Sequence, residues 1–209
     1  MLKIILIRHC KTISNETGKL QGYHDDSEFT EEGMKQMEAL SKRLKSEKID
    51  AVYCSDLGRA YKTAQAIAKE HGLNVNNVKN LREANIGEWS DLPVKEAIEK
   101  WMKYYEEKKA KGIPREEIRP PAGENAWDHQ KRLLEAITQI YSTHKDGTIV
   151  IVAHAGTNKV LLGSFQNTDP DDFYKVPQDN ACINIIKFNG NSYKVISIND
   201  TNHLKDEKN

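Results

Sequence analysis

The sequence predicts an α/β fold, a three-layer sandwich with a mostly parallel central sheet, helices on both faces and a helical lid insertion. Two short, β-branched apolar runs, 3–8 (KIILIR) and 148–154 (TIVIVAH), have the length and composition of fully buried parallel strands. Segments with helical periodicity alternate with such runs, which is typical of α/β proteins. Residues 84–123 interrupt the alternation with four prolines and a charge-dense helical stretch. We therefore predict a single domain, 1–209, in which 84–123 forms a lid.

In the first half of the chain, strands are followed by loops and capped helices. After the first strand and a polar loop, Thr30 is the expected N-cap of a helix, because its hydroxyl can accept a hydrogen bond from a backbone N–H. Residues 49–55 (IDAVYCS) form the second predicted strand, and Ser55 and Asp56 are expected to cap the helix that follows. A weaker third strand is predicted over 75–81.

The second half contains the longest predicted helix and the last strands. Residues 123–144 carry apolar side chains at helical spacing and predict an amphipathic helix. The strand 148–154 leads into a helix from Gly156, and two strands near 181–188 and 193–199 end the chain. Because ligands bind beyond the carboxyl ends of parallel strands, the residues at the ends of 3–8 and 148–154 are candidate site residues.

Composition narrows the classes of partner. Lys plus Arg (31) equals Asp plus Glu (31), so no net charge attracts nucleic acid or a membrane surface. No apolar run approaches the ~20 residues of a membrane-spanning helix. The three cysteines, Cys10, Cys54 and Cys182, are widely spaced and odd in number, which is typical of reduced thiols. We therefore expect a cytoplasmic protein without a nucleic-acid or membrane partner.

The thiol of Cys10, next to the first strand, is one candidate nucleophile. Cysteine-dependent phosphatases carry H-C, five residues and an Arg, but the residue at the Arg position after Cys10 is Glu16. Its carboxylate would repel both a thiolate and a phosphate. Cys54 is separated from Arg59 by four residues, one too few. Both cysteines are therefore predicted to be small buried side chains.

The imidazole of His9 is the better candidate, because neutral imidazole is common near pH 7 and needs no strong base. Attack on phosphorus requires neutralised phosphoryl oxygens, and the N–H donors of arginine suit this task. Arg8 precedes His9, Arg59 lies in the first turn of a helix, and His154 ends another central strand. Arg8 alternates to the opposite face of its strand, so it converges on the site only if the backbone bends there. Together these residues predict a phosphoryl-binding site.

Six sequence blocks in order resemble the histidine phosphatase superfamily, also called the phosphoglycerate-mutase-like family. They are LIRHCKTISN, LQGYHDDSEFTEEGMKQ, SDLGRAYKTAQ, LREANIGEWSDL, GENAWDHQKR and VAHAGT. The first resembles the family's R-H-G-[ET]-T opening, the third its S-x-x-x-R-[AT]-x-x-T-A block, and the last its V-x-H-G-G strand end. The resemblance extends from Leu6 to Gly156.

This resemblance implies a role for each aligned position. His9 would be the nucleophile that becomes phosphohistidine, and Glu83 would protonate the leaving group and later act as base towards water, with no metal or coenzyme. The phosphate pocket would be formed by Arg8, Arg59, His154, Asn15, Gln21 and the backbone of Gly22. Chemistry independently requires an acid for an alkoxide leaving group. Glu88 is the local alternative to Glu83, and we expect it to be solvated.

Two positions depart from the family pattern. Cys10 stands where the family has Gly, so the backbone beside His9 must accommodate a Cβ, which favours a negative φ. Ala155 replaces the first Gly after His154. Neither change removes a polar group, but each is expected to narrow the pocket slightly.

Hydrolysis is the favoured reaction, and phosphoryl transfer by a cofactor-dependent phosphoglycerate mutase is the alternative. Mutases of the family carry R-H-Y-G after the acidic residue and an Arg pair that holds a second anionic group, whereas 94–112 contains lysines but no arginine. A non-catalytic phospho-ligand-binding module is a third hypothesis, although no core residue is missing. A metal site at 24–26 (HDD) is not expected, because no second ligand cluster has metal-site spacing.

The expected substrate is a small phosphorylated metabolite. Several apolar and aromatic side chains could line a subsite for it, or could equally pack the core and the lid. They are Tyr23, Phe29, Ile86, Trp89, Trp101, Tyr104 and Tyr105. Phosphosugars, phosphoglycerates, phosphoserine and α-ribazole phosphate are all compatible with these residues.

Overall fold

The computed structural model describes residues 1–24 and 28–205, and a mixed sheet lies at its centre. Within those ranges the sheet has six strands in the order β3-β2-β4-β1-β5-β6. The strands are β1 (Leu2–Arg8), β2 (Ala51–Cys54), β3 (Val75–Asn77), β4 (Gly147–Ala153), β5 (Ile183–Phe188) and β6 (Tyr193–Asp200). The first four strands run parallel, whereas β5 is antiparallel to both β1 and β6. The sheet is thus mostly parallel, as predicted.

Helices cover both faces of this sheet. The helices of the described residues are α1 (Ile13–Glu16), α2 (Glu31–Leu44), α3 (Gly58–Glu70), α4 (Val94–Ala110), α5 (Ala126–Thr143) and α6 (Ala155–Phe165). On one face, Leu6 shares an apolar cluster with Leu133 of α5. On the other, Ile7 shares a cluster with Leu40 of α2. The predicted three-layer sandwich is confirmed. None of the described helices is long and apolar enough to span a bilayer.

The central strands β1 and β4 lie side by side in parallel register, with Arg8 opposite Ala153. The N–H of His9 donates to the Ala153 carbonyl oxygen at 3.0 Å, so the pairing continues past the end of β1. Because the register is one to one, His9 and His154 leave the sheet at the same level. Two segments remote in sequence thereby meet at one sheet edge.

Two segments of the first half differ from the predicted elements. The third strand is only Val75–Asn77, because residues 79–81 turn into a 3₁₀ helix that buries Leu81. The polar loop after β1 contains the short helix α1, which a capping box stabilises: the Thr12 hydroxyl accepts the Asn15 N–H, and the Asn15 side chain accepts the Thr12 N–H. The cap therefore orders a loop that composition alone predicts to be irregular.

The predicted N-cap is correct for α2 and wrong for α3. The Thr30 hydroxyl accepts a first-turn N–H of α2 at 2.9 Å. The N-cap of α3 is Leu57, which has no side-chain cap bond. Ser55 accepts the Leu57 N–H at 3.3 Å, and Asp56 forms a bidentate ion pair with Arg82. A tertiary contact therefore removes Asp56 from the capping role.

The predicted helical insertion is dominated by α4, which spans 17 residues. Within this fully described helix, Ala97 is the one buried residue. An aromatic cluster attaches the helix instead: the Trp89 ring lies 6.0 Å from Trp101 and 5.7 Å from Tyr104. The insertion therefore packs at the periphery and contributes little to the core.

Candidate active site

His9 and His154 are neighbours at the carboxyl ends of the two central strands. Their ring centroids lie 5.3 Å apart, with the ring planes inclined by 60°. Only 3% of His9 is exposed, and His154 is fully buried as the N-cap residue of α6. The strand register thus forms the centre of the site, as the positions of the two strand ends predict.

Hydrogen bonding fixes the tautomer of His9. Its Nδ1 lies 2.8 Å from the Cys10 carbonyl oxygen. A carbonyl oxygen can only accept, so Nδ1 carries the proton and Nε2 holds a lone pair. Burial, followed by repulsion from Arg59 and Arg8, holds the pKa of His9 well below its ordinary value of 6.5. His9 is therefore neutral at physiological pH and offers a nucleophilic nitrogen.

Buried nitrogen atoms without partners belong to two other candidate site residues, Arg8 and His154. Among the described residues, both ring nitrogens of His154 are buried without a hydrogen-bond partner, and so is Nε of Arg8. Burial, then repulsion from Arg59, lowers the pKa of His154 well below 6.5. Buried polar groups are normally paired, so this cluster is suited to a ligand rich in acceptor oxygens, such as a phosphoryl group.

Arg8 reaches the site from the end of β1. Its Nη1 donates to the Gln178 carbonyl oxygen at 2.7 Å. Gln178 belongs to a buried amide pair, in which its Nε2 donates to Asn184 Oδ1 at 2.8 Å. The charge of Arg8 lowers the pKa of both His9 and His154. The Arg8 charge therefore acts on both imidazoles from the end of β1.

Arg59 is the second guanidinium of the site. It lies in the first turn of α3 and is 2% exposed. Its Nη1 donates to the His24 carbonyl oxygen at 2.6 Å, and its Nη2 to that of Gly22 at 2.8 Å. Gly22 has a φ of +53°, and a Cβ there would lie 2.7 Å from Ile86 Cγ1. The Gly22 backbone thus enters the site by anchoring Arg59.

Asn15 and Gln21 are connected through Thr12. Asn15 Oδ1 accepts from the Thr12 hydroxyl at 3.0 Å, and Gln21 Nε2 donates to the same hydroxyl at 3.0 Å. Asn180, which the sequence analysis did not identify, donates to the His9 carbonyl oxygen at 3.1 Å and to Asn15 Oδ1 at 3.0 Å. These bonds connect both candidate phosphate ligands to the backbone of His9.

The Glu83 carboxylate lies at the N-terminus of α6, directly after His154. It accepts the N–H of Gly156 at 2.9 Å and that of Thr157 at 3.1 Å. A Cβ at position 156 would meet the Glu83 carboxylate, so a side chain there would displace the carboxylate from this position. The alternative acid, Glu88, is exposed, as expected.

Glu124 and Arg132 form a clamp on the backbone that carries this acid. Arg132 makes a bidentate ion pair with Glu124, at 2.9 and 2.5 Å, and the two side chains are only 15% and 13% exposed. The same guanidinium donates to the carbonyl oxygens of Asn80, Arg82 and Glu83 at 2.8, 2.9 and 2.8 Å. The block GENAWDHQKR contains both clamp residues, but its spacing does not reveal what they hold.

His129 is another site residue that the sequence analysis did not identify. It is fully buried on α5, and its Nε2 lies 3.3 Å from the Thr157 hydroxyl. That hydroxyl donates to the Arg82 carbonyl oxygen at 2.9 Å, so Nε2 of His129 is the donor in their shared bond. The histidine thereby positions Thr157, whose N–H binds Glu83.

The cysteines are buried, as predicted. Burial raises the pKa of both Cys10 and Cys54 to about 12. The Cys10 N–H donates to the Thr63 hydroxyl at 3.2 Å. Neither Cys10 nor Ala155 has a positive φ, so the backbone accommodates a Cβ at both positions where the family has Gly.

Most of the apolar and aromatic set packs against other apolar or aromatic side chains. Phe29 packs against the core between the sheet and α2 and α3. Four side chains pack in the cluster at α4, namely Trp89, Trp101, Tyr104 and Tyr105. Tyr23 differs, because its ring lies 5.2 Å from the Arg82 guanidinium beside the Glu83 segment.

The described part of the chain has no group of three or more His, Cys, Asp or Glu side chains that could hold a metal ion. His24 of the HDD motif contacts the Asp91 carboxylate. Asp25 and Asp26 lie outside the described residues.

The family of the chain follows from comparison with known proteins. A family model described as the histidine phosphatase superfamily (branch 1) matches residues 4–201. The chain belongs to this superfamily. The resemblance in the six sequence blocks and the predicted fold class are both confirmed.

Several relatives of this histidine phosphatase match along nearly its whole length. Phosphoserine phosphatase 1 of Hydrogenobacter thermophilus is 28% identical over 98% of the chain and 95% of its own length. Phosphoglycerate mutase-like protein 4 of Arabidopsis thaliana is 32% identical over 98% of the chain and 87% of its own length. A solved H9A variant of phosphoserine phosphatase from Entamoeba histolytica, in complex with phosphoserine, has a TM-score of 0.81 and 26% identity, covering 98% of the chain and 100% of that structure.

Proposed function

We propose that this histidine phosphatase hydrolyses a small phosphorylated metabolite through a phosphohistidine at His9. The observation that carries the proposal is the group of buried, unpartnered nitrogens of Arg8 and His154 beside the lone pair of His9 Nε2. Phosphoryl oxygens are acceptors that such a group binds well. Arg59 adds a second buried positive charge, and Asn15 and Gln21 complete the pocket.

In the first half-reaction, His9 Nε2 attacks phosphorus while the ester P–O bond breaks. Arg8, Arg59 and His154 stabilise the charge on the phosphoryl oxygens. Glu83 gives its proton to the leaving oxygen, so an alcohol departs instead of an alkoxide. The bond from Nδ1 to the Cys10 carbonyl stabilises the positive charge on the phosphorylated ring.

In the second half-reaction, water takes the place of the alcohol. The Glu83 carboxylate removes a proton from water as its oxygen attacks phosphorus, and the N–P bond breaks. Inorganic phosphate leaves, His9 returns to its neutral form, and Glu83 is protonated again. The cycle needs no metal or coenzyme, so turnover is expected to survive excess EDTA.

Phosphoserine is the favoured substrate. The names of the Hydrogenobacter and Entamoeba relatives support it. The name of the Arabidopsis relative supports the mutase alternative. Hydrolysis is preferred because the segment 94–112 lacks the arginine pair that mutases of the family carry. Phosphorus NMR with 3-phosphoglycerate decides between the two: 2-phosphoglycerate without free phosphate would replace hydrolysis by the mutase reaction.

The cysteines support a cytoplasmic location. Cys10, Cys54 and Cys182 are unpaired and buried. Unpaired thiols persist in reducing compartments, so we place the reaction in the cytoplasm.

A phosphoenzyme trap tests the proposal. Wild-type protein mixed with p-nitrophenyl phosphate and quenched in alkali should carry a phosphoryl group on the peptide that contains His9, as located by mass spectrometry. His9→Asn should form none and should lose about 10³-fold or more in turnover. His144→Asn is the matched control, because His144 contacts Tyr53 (2.8 Å) and precedes β4 at the opposite edge of the sheet. Unchanged turnover by His9→Asn would assign the reaction elsewhere, and binding without turnover by the wild type would indicate a phospho-ligand-binding module.

A further inference from the structure

Lys159 is a cation of α6 that the mechanism above does not use. It lies three residues after Gly156, on the same side of the helix as the N–H that binds Glu83. Helical side chains incline towards the N-terminus of their helix, and the N-terminus of α6 lies at His154. Lys159 therefore extends towards the candidate active site.

The surroundings of Lys159 indicate that it lies at the rim of the phosphate pocket. The residue is half-buried, and its Nζ donates to the Tyr174 carbonyl oxygen at 3.1 Å. Burial, followed by repulsion from Arg8, lowers the pKa of Lys159, while attraction to Glu83 acts in the opposite direction. Its ammonium is thus in electrostatic range of a phosphate-binding group and of the acid for the leaving oxygen.

The charge of Lys159 is not matched by a carboxylate. No acidic side chain of the described residues forms an ion pair with it, and its Nζ donates instead to the neutral Tyr174 carbonyl oxygen. Lys175, on the neighbouring segment, is instead paired with Asp172 at 2.5 Å. An ammonium has three N–H donors, so Lys159 retains donors for an anion.

We propose that Lys159 binds a carboxylate of the substrate. This carboxylate belongs to the alcohol portion of the ester and lies close to the ester oxygen. The inference rests on the proposed function, in which Arg8 holds the phosphoryl group and Glu83 faces the leaving oxygen. A cation in electrostatic range of both residues can reach an anionic substituent of the leaving group. The substrate class is thereby narrowed to phosphate monoesters of hydroxy acids, including hydroxy amino acids.

The test compares phosphoserine with phosphoethanolamine, which has a hydrogen in place of the carboxylate. The readout is the ratio of their kcat/KM values in wild type, Lys159→Met, Lys159→Gln and Lys159→Arg. The neutral variants should lower the ratio about 10-fold or more, mainly through KM for phosphoserine, because one charge-assisted hydrogen bond is lost. Lys159→Arg should keep most of the ratio. Lys175→Met is the matched control and should leave it at the wild-type value.

Two results would overturn the role of Lys159: an unchanged ratio in the neutral variants, or an equal loss on both esters, which would assign the ammonium to the phosphate or to Glu83. Thermal melting checks that each variant is folded. If the wild type hydrolyses both esters and forms phosphohistidine, the proposed function stands whatever the ratio shows. If it does neither, the proposed function and this inference both fail.

Discussion

The Glu83 carboxylate accepts the backbone N–H of Gly156 at 2.9 Å. Through this contact the segment after β3 and the helix after β4 share one junction, and His154 is the N-cap of that same helix. The proposed acid, Glu83, and the proposed phosphate ligand, His154, are therefore positioned by the same turn of backbone. A side chain at position 156 would push the Glu83 carboxylate out of this contact.

Glu83→Gln should separate substrates by their leaving groups. The amide keeps the shape of the side chain but has no carboxyl proton to donate. We expect kcat/KM for phosphoserine to fall about 10²–10⁴-fold. The value for p-nitrophenyl phosphate should fall much less, because nitrophenolate leaves without a proton. Glu88→Gln, in which the substituted side chain is exposed, is the control. A larger loss in the control than in Glu83→Gln would transfer the acid role to Glu88.

Arg132→Met should act through Glu83. Without the clamp the 80–83 backbone loses three hydrogen bonds, so the acid is misplaced. We expect kcat/KM for phosphoserine to fall about 10²-fold. The double variant with Glu83→Gln should be no slower than Glu83→Gln alone, because both changes remove the same function. Fully multiplicative losses would disprove the clamp's role in catalysis.

Arg132→Met should also lower the stability of the protein, and Arg119→Met is the control for this effect. Removing one partner of a largely buried ion pair costs about 3–5 kcal/mol, measured as the free energy of unfolding in urea. Arg119→Met breaks the exposed pair with Asp128, whose side chains are 42% and 35% exposed. That loss should stay below about 1 kcal/mol. Arg132→Lys serves where Arg132→Met is too unstable to assay.

Cys10→Ala should retain turnover within a few-fold. The thiol is fully buried, and burial raises its pKa to about 12, so it supplies no thiolate for catalysis. Stability should fall by about 1 kcal/mol, as for an average substitution. The three cysteines should react with a thiol reagent only after unfolding, since all are buried. Loss of turnover comparable with that of His9→Asn would reinstate the thiol as a nucleophile.

Stability should fall as pH drops below about 6.5. Burial, as the first cause, holds the pKa of His9, His129 and His154 well below that value. In this range the unfolded chain binds protons that the folded chain does not, so the free energy of unfolding decreases with falling pH. Each histidine contributes at most about 1.4 kcal/mol per pH unit. Urea denaturation between about pH 5 and 8 measures the slope, and His154→Asn should make it shallower. An equal slope in that variant would contradict the buried neutral state of His154.

The sequence predicted that His9 and His154 follow central strands because buried strands and their ends can be located from local sequence. Hydrophobic runs located β1 and β4, and the residues after them, His9 and His154, had to meet at one edge once the strands were adjacent. Arg59 followed from its place in the first turn of a helix. These inferences needed only the period of the apolar residues and the rules of parallel sheets.

Residues that act through tertiary contacts could not be predicted from local sequence patterns. Asp56 looked like a helix cap but pairs with Arg82, 26 positions along the chain. Arg132 contacts carbonyl groups about 50 positions earlier, and no spacing rule reports such a bond. The position of Lys159 could have been predicted, since its helical spacing from Gly156 places it on the side of α6 that faces Glu83.

The peripheral attachment of α4 has a consequence for how this protein diverges. A helix with one buried residue, Ala97, places few constraints on the amino acids that it can accept. Mutations there can accumulate under selection while the two central strands stay unchanged. The sequence of α4 can therefore drift further than that of the sheet edge where His9 and His154 meet.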